Sequence, residues 1–426
     1  MKRFLAIVGV IAFTLMSRAD DWPQWRGPHR DGISNEKGLL QRWPKDGPKL
    51  LWKVTNAGSG YSTPAVVGDR LYLLGNEGMD NEFVEALSVA DGKLAWLTAL
   101  GKVGQPKQNP NFPAARSTPT VDEDVLYALG SAGDLACVEI ATGKMRWHKN
   151  LQTDFKGKPG QWAYAESPLV DGDTVVCTPG GSEATLVGLN KKTGEVAWKC
   201  ATPEGDEAAY SSAIVVQAAG AKQYVQLLQK GLVGVGAGTG KLLWRYPRVI
   251  SKYGANIPTP LASGDLIYTA SSGTGGGLVK IKQKPDGMEA QQVYFESKLP
   301  TAIGGVVKVG DYLYGTTGQA LLCVEFATGN VKWEERGIGT ASLCFADGRL
   351  YLHGENGQAA LLEPSAREYD EKRRFTPPDQ PQRKDGMEKA WAYPVVANGR
   401  LYLRDHGRVW CYDVRESDYP NRQATP

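Results

Sequence analysis

Two segments 186 residues apart, CVEIATGKMRW at 137–147 and CVEFATGNVKW at 323–333, carry Cys, Val, Glu, Ala, Thr, Gly and Trp in register. Tryptophans that follow a Thr-Gly or Asp-Gly pair recur at Trp96, Trp147, Trp198, Trp244 and Trp333, spaced by 51, 51, 46 and 89 residues. The last spacing is two units, and Tyr294 in QQVYF stands where the missing tryptophan belongs. A second ladder opens each unit: STPAV at 62, STPTV at 117, SPLV at 167, SSAIV at 211, PTPLA at 258, GGVV at 304, ASLCF at 341 and YPVV at 393. Alternating stretches such as DRLYLLG, DVLYALG and GRLYLHG follow shortly after. Each unit thus reads as four short strands, and units of roughly 40 to 50 residues built this way predict an all-β, eight-bladed β-propeller of four-stranded antiparallel blades.

A propeller has to close its ring, since an open first blade would expose unpaired edge groups. KLLWKV at 49–54 repeats the fourth-strand text KLLWRY of 241–246, yet it precedes the first inner strand. RVWCYDV at 408–414 is a third strand with no fourth after it. The N-terminal strand is therefore expected to complete the last blade, giving a ring over residues 49–414 between a lead-in arm at 20–48 and a tail at 415–426. The arm, opening on DWPQWRGPHRDGIS, is expected to pack over a face or flank of the ring. The charged segment 367–389 is read as a weak fourth strand ending near Phe375, followed by a solvated loop.

The repeated text has a structural explanation. Thr-Gly supplies the positive-φ position of a hairpin turn. The tryptophans Trp52, Trp96, Trp147, Trp198, Trp244 and Trp333 are expected to dock each blade on its neighbour, ring against core and N–H against backbone. Cys137, Cys323 and Cys411 share one strand position and read as core fillers, and Glu139 and Glu325 as partners of their turns. The chain has six cysteines and four histidines, with no CxxC and no HxxxH spacing, so no metal site and no catalytic set is assigned. Glycine, at 51 of 426 residues, suits many tight turns. The Gly-rich GTGGGL at 273–278 lacks the following helix that a phosphate loop needs.

Residues 1–19 join Lys2 and Arg3 to an apolar run and end in Ser-Arg-Ala, the pattern of a secretory signal removed after Ala19. The run is shorter than a spanning helix needs, so no transmembrane segment is expected in the mature protein. The formal charge of +3 falls to zero once Lys2, Arg3 and Arg18 are removed, which argues against nucleic acid as a partner. A periplasmic or secreted monomer is expected.

At these residues the chain resembles the pyrroloquinoline quinone (PQQ) repeat, or quinoprotein-like, propeller family, in the fourth-strand text at Ala141–Trp147 and Ala327–Trp333. The resemblance implies one of two activities. In the enzyme branch, PQQ and calcium serve oxidation of an alcohol or sugar, with a vicinal Cys-Cys disulfide against the cofactor; no two cysteines are adjacent here. The BamB-like branch is non-catalytic, and a binding or scaffold protein with an envelope protein or small polar ligand as partner is the leading expectation. A carbohydrate- or peptide-binding module is the further alternative. Any ligand is expected at the axial mouth, where the residues before the inner strands converge: Tyr61, Arg116, Tyr164, Glu166, Tyr210, Asn256 and Trp391. Arg116 is expected to face Glu166 there.

Overall fold

A computed structural model describes residues 21–104, 114–203, 205–383 and 388–419. Residues 1–20, which include the segment expected to be a secretory signal, and the last seven residues of the tail lie outside the described residues. The blades, numbered by their inner strands, begin at Ala65–Val67, Thr120–Asp122, Leu169–Asp171, Ile214–Ala218, Leu261–Ser263, Val306–Val309, Ala341–Ala346 and Val395–Ala397. Each blade runs outward through four antiparallel strands. The chain is an eight-bladed β-propeller.

Ring closure uses the out-of-place strand. Lys49–Val54 pairs antiparallel with Arg408–Asp413 of blade 8, Trp52 standing opposite Cys411. The charged stretch Asp370–Phe375 is the outer strand of blade 7, and Leu151–Phe155 forms a single helical turn between blades 2 and 3. No helix among the described residues is long and apolar enough to cross a membrane.

The core lies between blades. One cluster joins Tyr72, Leu74 and Ala86 of blade 1 to Leu126, Ala136 and Val138 of blade 2, and comparable clusters follow around the ring. The Gly of each turn serves this packing twice. Its positive φ (73° at Gly92, 75° at Gly143) closes the hairpin. Its missing Cβ also leaves room for the preceding blade's indole, since a Cβ at Gly92 would lie 2.8 Å from Trp52. The indole N–H then reaches the neighbour's backbone: Trp52 donates to Val89 O, Trp96 to Ile140 O and Trp147 to Lys191 O, at 2.8, 2.8 and 3.0 Å. Trp333 donates to Ser365 O, and the Tyr294 hydroxyl to Phe326 O.

Trp244 departs from this pattern by donating to Gln223 of its own blade, and Trp198 Nε1 is buried with no partner among the described residues. Glu139 and Glu325 each accept from the Thr hydroxyl three residues on, bracing the turn. All six cysteines are buried and free.

The opening hydroxyls of the units staple inner strands together. Thr63 Oγ1 accepts from Tyr393 N, Ser167 Oγ from Thr118 N and Ser212 Oγ from Ser167 N, each at 2.9 Å.

Residues 22–36 of the arm line the axis of the ring rather than a face, whereas residues 39–47 cross the flank of blades 7 and 8, where Leu40 N donates to Val414 O and Trp43 packs edge-on against Phe375. Inner strands are sheet edges that turn unpaired backbone groups toward the axis; the arm bonds backbone groups at or just before the inner strands of blades 1, 2, 3, 4, 6 and 7, a hydroxyl of blade 5 and the turn amides of blade 8. Trp22 pairs with Val66 of blade 1, and Pro23 O accepts from Val121 N of blade 2. Arg30 donates to Ser167 O and Pro168 O of blade 3 and to Ala213 O of blade 4. Trp25 Nε1 donates to Thr259 Oγ1 of blade 5, and Arg26 to Val306 O of blade 6. Ile33–Ser34 adds a short parallel strand to Phe345–Ala346 of blade 7, and Glu36 accepts from Asn398 N and Gly399 N of blade 8. Arg26 and Arg30 both hold φ near 59°, a region that costs a side chain energy and persists where surroundings fix it.

Candidate functional site

Where the axial arm turns at Trp25, between Thr259 of blade 5 and Tyr393 before the inner strand of blade 8, a cup of about 240 Å³ opens. Its floor is Trp25, which sits edge-on against Tyr393 at 4.6 Å between centroids. Its walls are Tyr61, Trp162, Tyr210 and Trp391, with Ala165, Ala255, Ile257 and Ile303 between them, and Arg116 is the one charged residue of the described lining.

Each wall is held in place from behind. Tyr61 packs on Trp391 at 4.8 Å and on His406 at 5.1 Å. Trp391 Nε1 donates to Glu355 Oε1 at 3.0 Å, and Lys389 pairs with the other oxygen of that carboxylate. The Tyr210 hydroxyl accepts from Trp162 N at 3.0 Å, with the two rings 5.8 Å apart. Tyr393 donates to Ile303 O at 2.7 Å.

Burial dominates the electrostatics. It pushes the hydroxyls of Tyr61 and Tyr210 up to about 12, so both are neutral donors at any ordinary pH. It also holds the Arg116 guanidinium below its usual pKa, against the pull of Tyr61, Glu82 and Tyr210. Glu82, whose carboxylate accepts from both the N–H and the hydroxyl of Ser131, is pushed up to about 7 by burial.

Of the seven mouth residues expected from the sequence, the structure brings Tyr61, Arg116, Tyr210 and Trp391 to the cup. The other three are turned away from it as polar braces between strands. Tyr164 donates to Pro179 O at 2.8 Å. Glu166 accepts from Thr178 N and from Gln226 Nε2. Asn256 accepts from Ser251 N and donates to Leu228 O, both at 2.7 Å. The cation that acts on Glu166 is Arg30 of the arm, whereas Arg116 acts on Glu82.

Trp25, Trp162, Ile257, Ile303 and Tyr393 were not among the expected residues. Ile257 had a sequence signal: aligning PTP at 258–260 with STP at 62–64 sets Ile257, and not Asn256, in the place of Tyr61. Trp162 belongs to a connection outside the repeat and had none; Trp25 belongs to the aromatic, Pro- and Gly-rich arm, where a binding role is the lesser alternative to packing.

Chemically the cup offers stacking faces, a few hydroxyl donors and one guanidinium. Among the described residues no group of three or more His, Cys, Asp or Glu side chains could hold a metal ion.

The family described as outer membrane protein assembly factor BamB matches residues 33–159 and 80–335, together more than half of the chain. Outer membrane protein assembly factor BamB of Moranella endobia is 24% identical over 125 residues, 28% of this chain and 31% of that protein. Its counterpart in Alkalilimnicola ehrlichii is 26% identical over 140 residues, 33% and 32% of the two chains. The serine/threonine-protein kinase AfsK of Streptomyces griseus is 28% identical over 169 residues, 39% of this chain and 19% of the kinase. The chain thus spans less than a third of the length of these relatives.

Among solved structures, BamB of Moraxella catarrhalis superposes with a TM-score of 0.60 at 14% identity, covering 84% of this chain and 99% of that one. A quinohemoprotein alcohol dehydrogenase of Pseudomonas putida does so with a TM-score of 0.51 at 13% identity, covering 95% and 82%. Both are likenesses of fold. The cup residues do not fit a quinone held through calcium: the described lining has no carboxylate or side-chain amide oxygen for a hard cation, and the six cysteines are buried apart from one another in sequence.

Proposed function

The chain belongs to the family of outer membrane protein assembly factor BamB, and on that premise we propose that it is a non-catalytic binding propeller of the cell envelope that takes a partner protein at the mouth of the ring. The observation that carries this reading is the cup itself. Its lining is aromatic and aliphatic around one guanidinium, the composition of a recognition pocket. Its described lining has no Ser, Cys, His, Lys, Asp or Glu side chain to serve as nucleophile, carboxylate base or metal ligand. The BamB relatives, and the leader-like residues 1–19, support placing the protein in the periplasm.

The test pairs capture with turnover. A photo-crosslinking residue at position 253, beside the cup, should link the protein to a discrete envelope protein, and the same residue at position 286, on the outer hairpin of blade 5, should not. Oxidation of alcohols or sugars by the purified protein with PQQ, calcium and an electron acceptor would overturn the non-catalytic reading.

A further inference from the structure

Resting on the reading of this chain as a partner-binding propeller, we infer that the cup takes a single aromatic side chain of a partner polypeptide with an acidic residue beside it. The ring lodges among Trp25, Trp162, Tyr210 and Trp391, and the carboxylate meets Arg116.

The depth of the cup sets the first limit. The axial arm closes it below through Trp25, which is tied to Thr259 and packed on Tyr393. An occupant of the cup therefore rests against Trp25 rather than passing it. A volume of about 240 Å³ suits one large side chain and not an extended segment.

The walls set the second. A sugar would exchange the water around its hydroxyls for a surface without carboxylate, amide or aliphatic hydroxyl partners among the described lining, an unfavourable trade. A flat apolar ring loses little on entering and gains offset or edge-on contacts on several sides.

Charge sets the third. Aromatic cages attract cations, but here a guanidinium shares the wall, so lysine, arginine and quaternary ammonium groups are repelled. Burial disfavours the Arg116 cation, and an incoming carboxylate stabilises it through a charge-assisted hydrogen bond.

The rim decides between a free aromatic acid and a polypeptide. Ile250 and Tyr253 are 38% and 67% exposed, and they lie on the same connection that supplies Ala255 and Ile257 to the wall. Exposed apolar side chains thus stand a few residues from the wall on one connection, Tyr253 beside the Gly273 turn of blade 5, where a solute filling only the cup would leave them wet and a polypeptide flanking its anchor could cover them.

Fluorescence anisotropy with labelled hexapeptides tests this on the intact mature chain. A peptide with tryptophan followed by glutamate at its centre should bind. Replacing the glutamate by lysine should weaken binding about tenfold or more, and replacing the tryptophan by alanine roughly 30-fold or more. Arg116→Gln should erase the preference for glutamate over lysine, and Trp162→Ala should weaken both peptides, each variant being checked for a native thermal transition. Equal binding of the glutamate and lysine peptides, or none of either, overturns the inference without recourse to any variant. Indole-3-acetate competing as tightly as the peptide overturns the polypeptide occupant. Failure here is distinguishable from failure of the functional reading. If the residue at position 253 captures its envelope protein equally in wild type and in Trp162→Ala, the binding reading stands and the cup is not its anchor. If wild type captures nothing, both fall.

Discussion

Replacing Arg30 by methionine tests whether the axial arm is an axle that holds the blades together. Arg30 is 3% exposed. Its Nη1 donates to Ser167 O at 3.2 Å and Ala213 O at 2.9 Å, its Nη2 to Pro168 O and Thr120 Oγ1, and its Nε to Gln24 Oε1 at 2.8 Å. Methionine keeps the length of the side chain and removes every donor. Ser167 O and Ala213 O are then left without this donor in the buried axis, at about 1–3 kcal/mol each, while Pro168 O keeps the Thr120 hydroxyl. Glu166 also loses the cation that opposes its desolvation. One term runs the other way: burial holds the Arg30 pKa down to about 9, so the cation is itself costly and its removal relieves that cost. The balance for removing one member of a buried charged network is a loss of about 3–5 kcal/mol. Urea unfolding followed by tryptophan fluorescence at pH 7 measures it. Arg30→Lys should recover less than half, because one ammonium cannot fork to two blades. At pH 8, Glu166→Gln should stabilise the Arg30→Met background more than wild type, the signature of coupling between the two sites. A loss under about 1 kcal/mol for Arg30→Met, with no coupling to Glu166, would refute the axle.

Three further outcomes follow from the same structure. Glu82, Glu85 and Glu166 are each raised to about 7 by burial, so the stability they contribute is present below the unfolded value of 4.5 and is lost as pH rises through 7. The depressed pKa values of His353 and His406 act only as pH falls below 6.5. Thermal scans should therefore show stability falling from pH 6.5 to pH 8 by on the order of 1 kcal/mol per carboxyl, and a flat or rising profile would contradict these burials. Deleting residues 21–55 removes both the axle and the outer strand of blade 8, and should abolish the cooperative unfolding transition; an equally stable truncated chain would sink the closure. The six thiols are buried, and burial pushes those of Cys177, Cys344 and Cys411 up. A colorimetric thiol reagent should label fewer than one per folded chain and all six in guanidinium, and rapid native labelling would contradict the packing.

What the sequence made legible is what the repeat repeats. The Thr-Gly turn and the ring that follows it are two halves of one contact, so the text survives wherever the contact does, and even Tyr294 keeps both its place above Gly329 and a donor bond to Phe326 O. Closure was legible for the same reason: KLLW is fourth-strand text wherever it stands, and at Lys49–Val54 its partner was missing from the other end of the chain. The arm was not legible, because its partners are mostly backbone groups. Arg30 finds Ser167 O, Pro168 O and Ala213 O, and no side chain at those positions announces that a guanidinium is coming.

The cup divides along the same line. The residue directly before each opening Ser or its equivalent faces the mouth at Tyr61, Arg116, Tyr210, Ile257 and Trp391. Choosing polar residues within that zone picked Asn256 over its neighbour Ile257, although polarity near an inner strand more often marks a brace than a ligand contact. Glu166 lies one place further in: Ser167-Pro168 aligns with Thr63-Pro64, so Glu166 stands where Ser62 does, with Thr178 and Gln226 satisfying its carboxylate inside the blade, and Ala165 takes the lining place of Tyr61. Repeat positions therefore supply the walls of the cup, and segments outside the repeat supply what makes it a pocket. Without Trp25 beneath it the mouth would be an open channel, and without Trp162 the wall beside Tyr210 would lack its facing ring. Specificity in such a ring resides in the parts that a repeat alignment passes over, and Trp25 binds the two problems together, since the segment that ties the eight blades is also the floor on which any occupant rests.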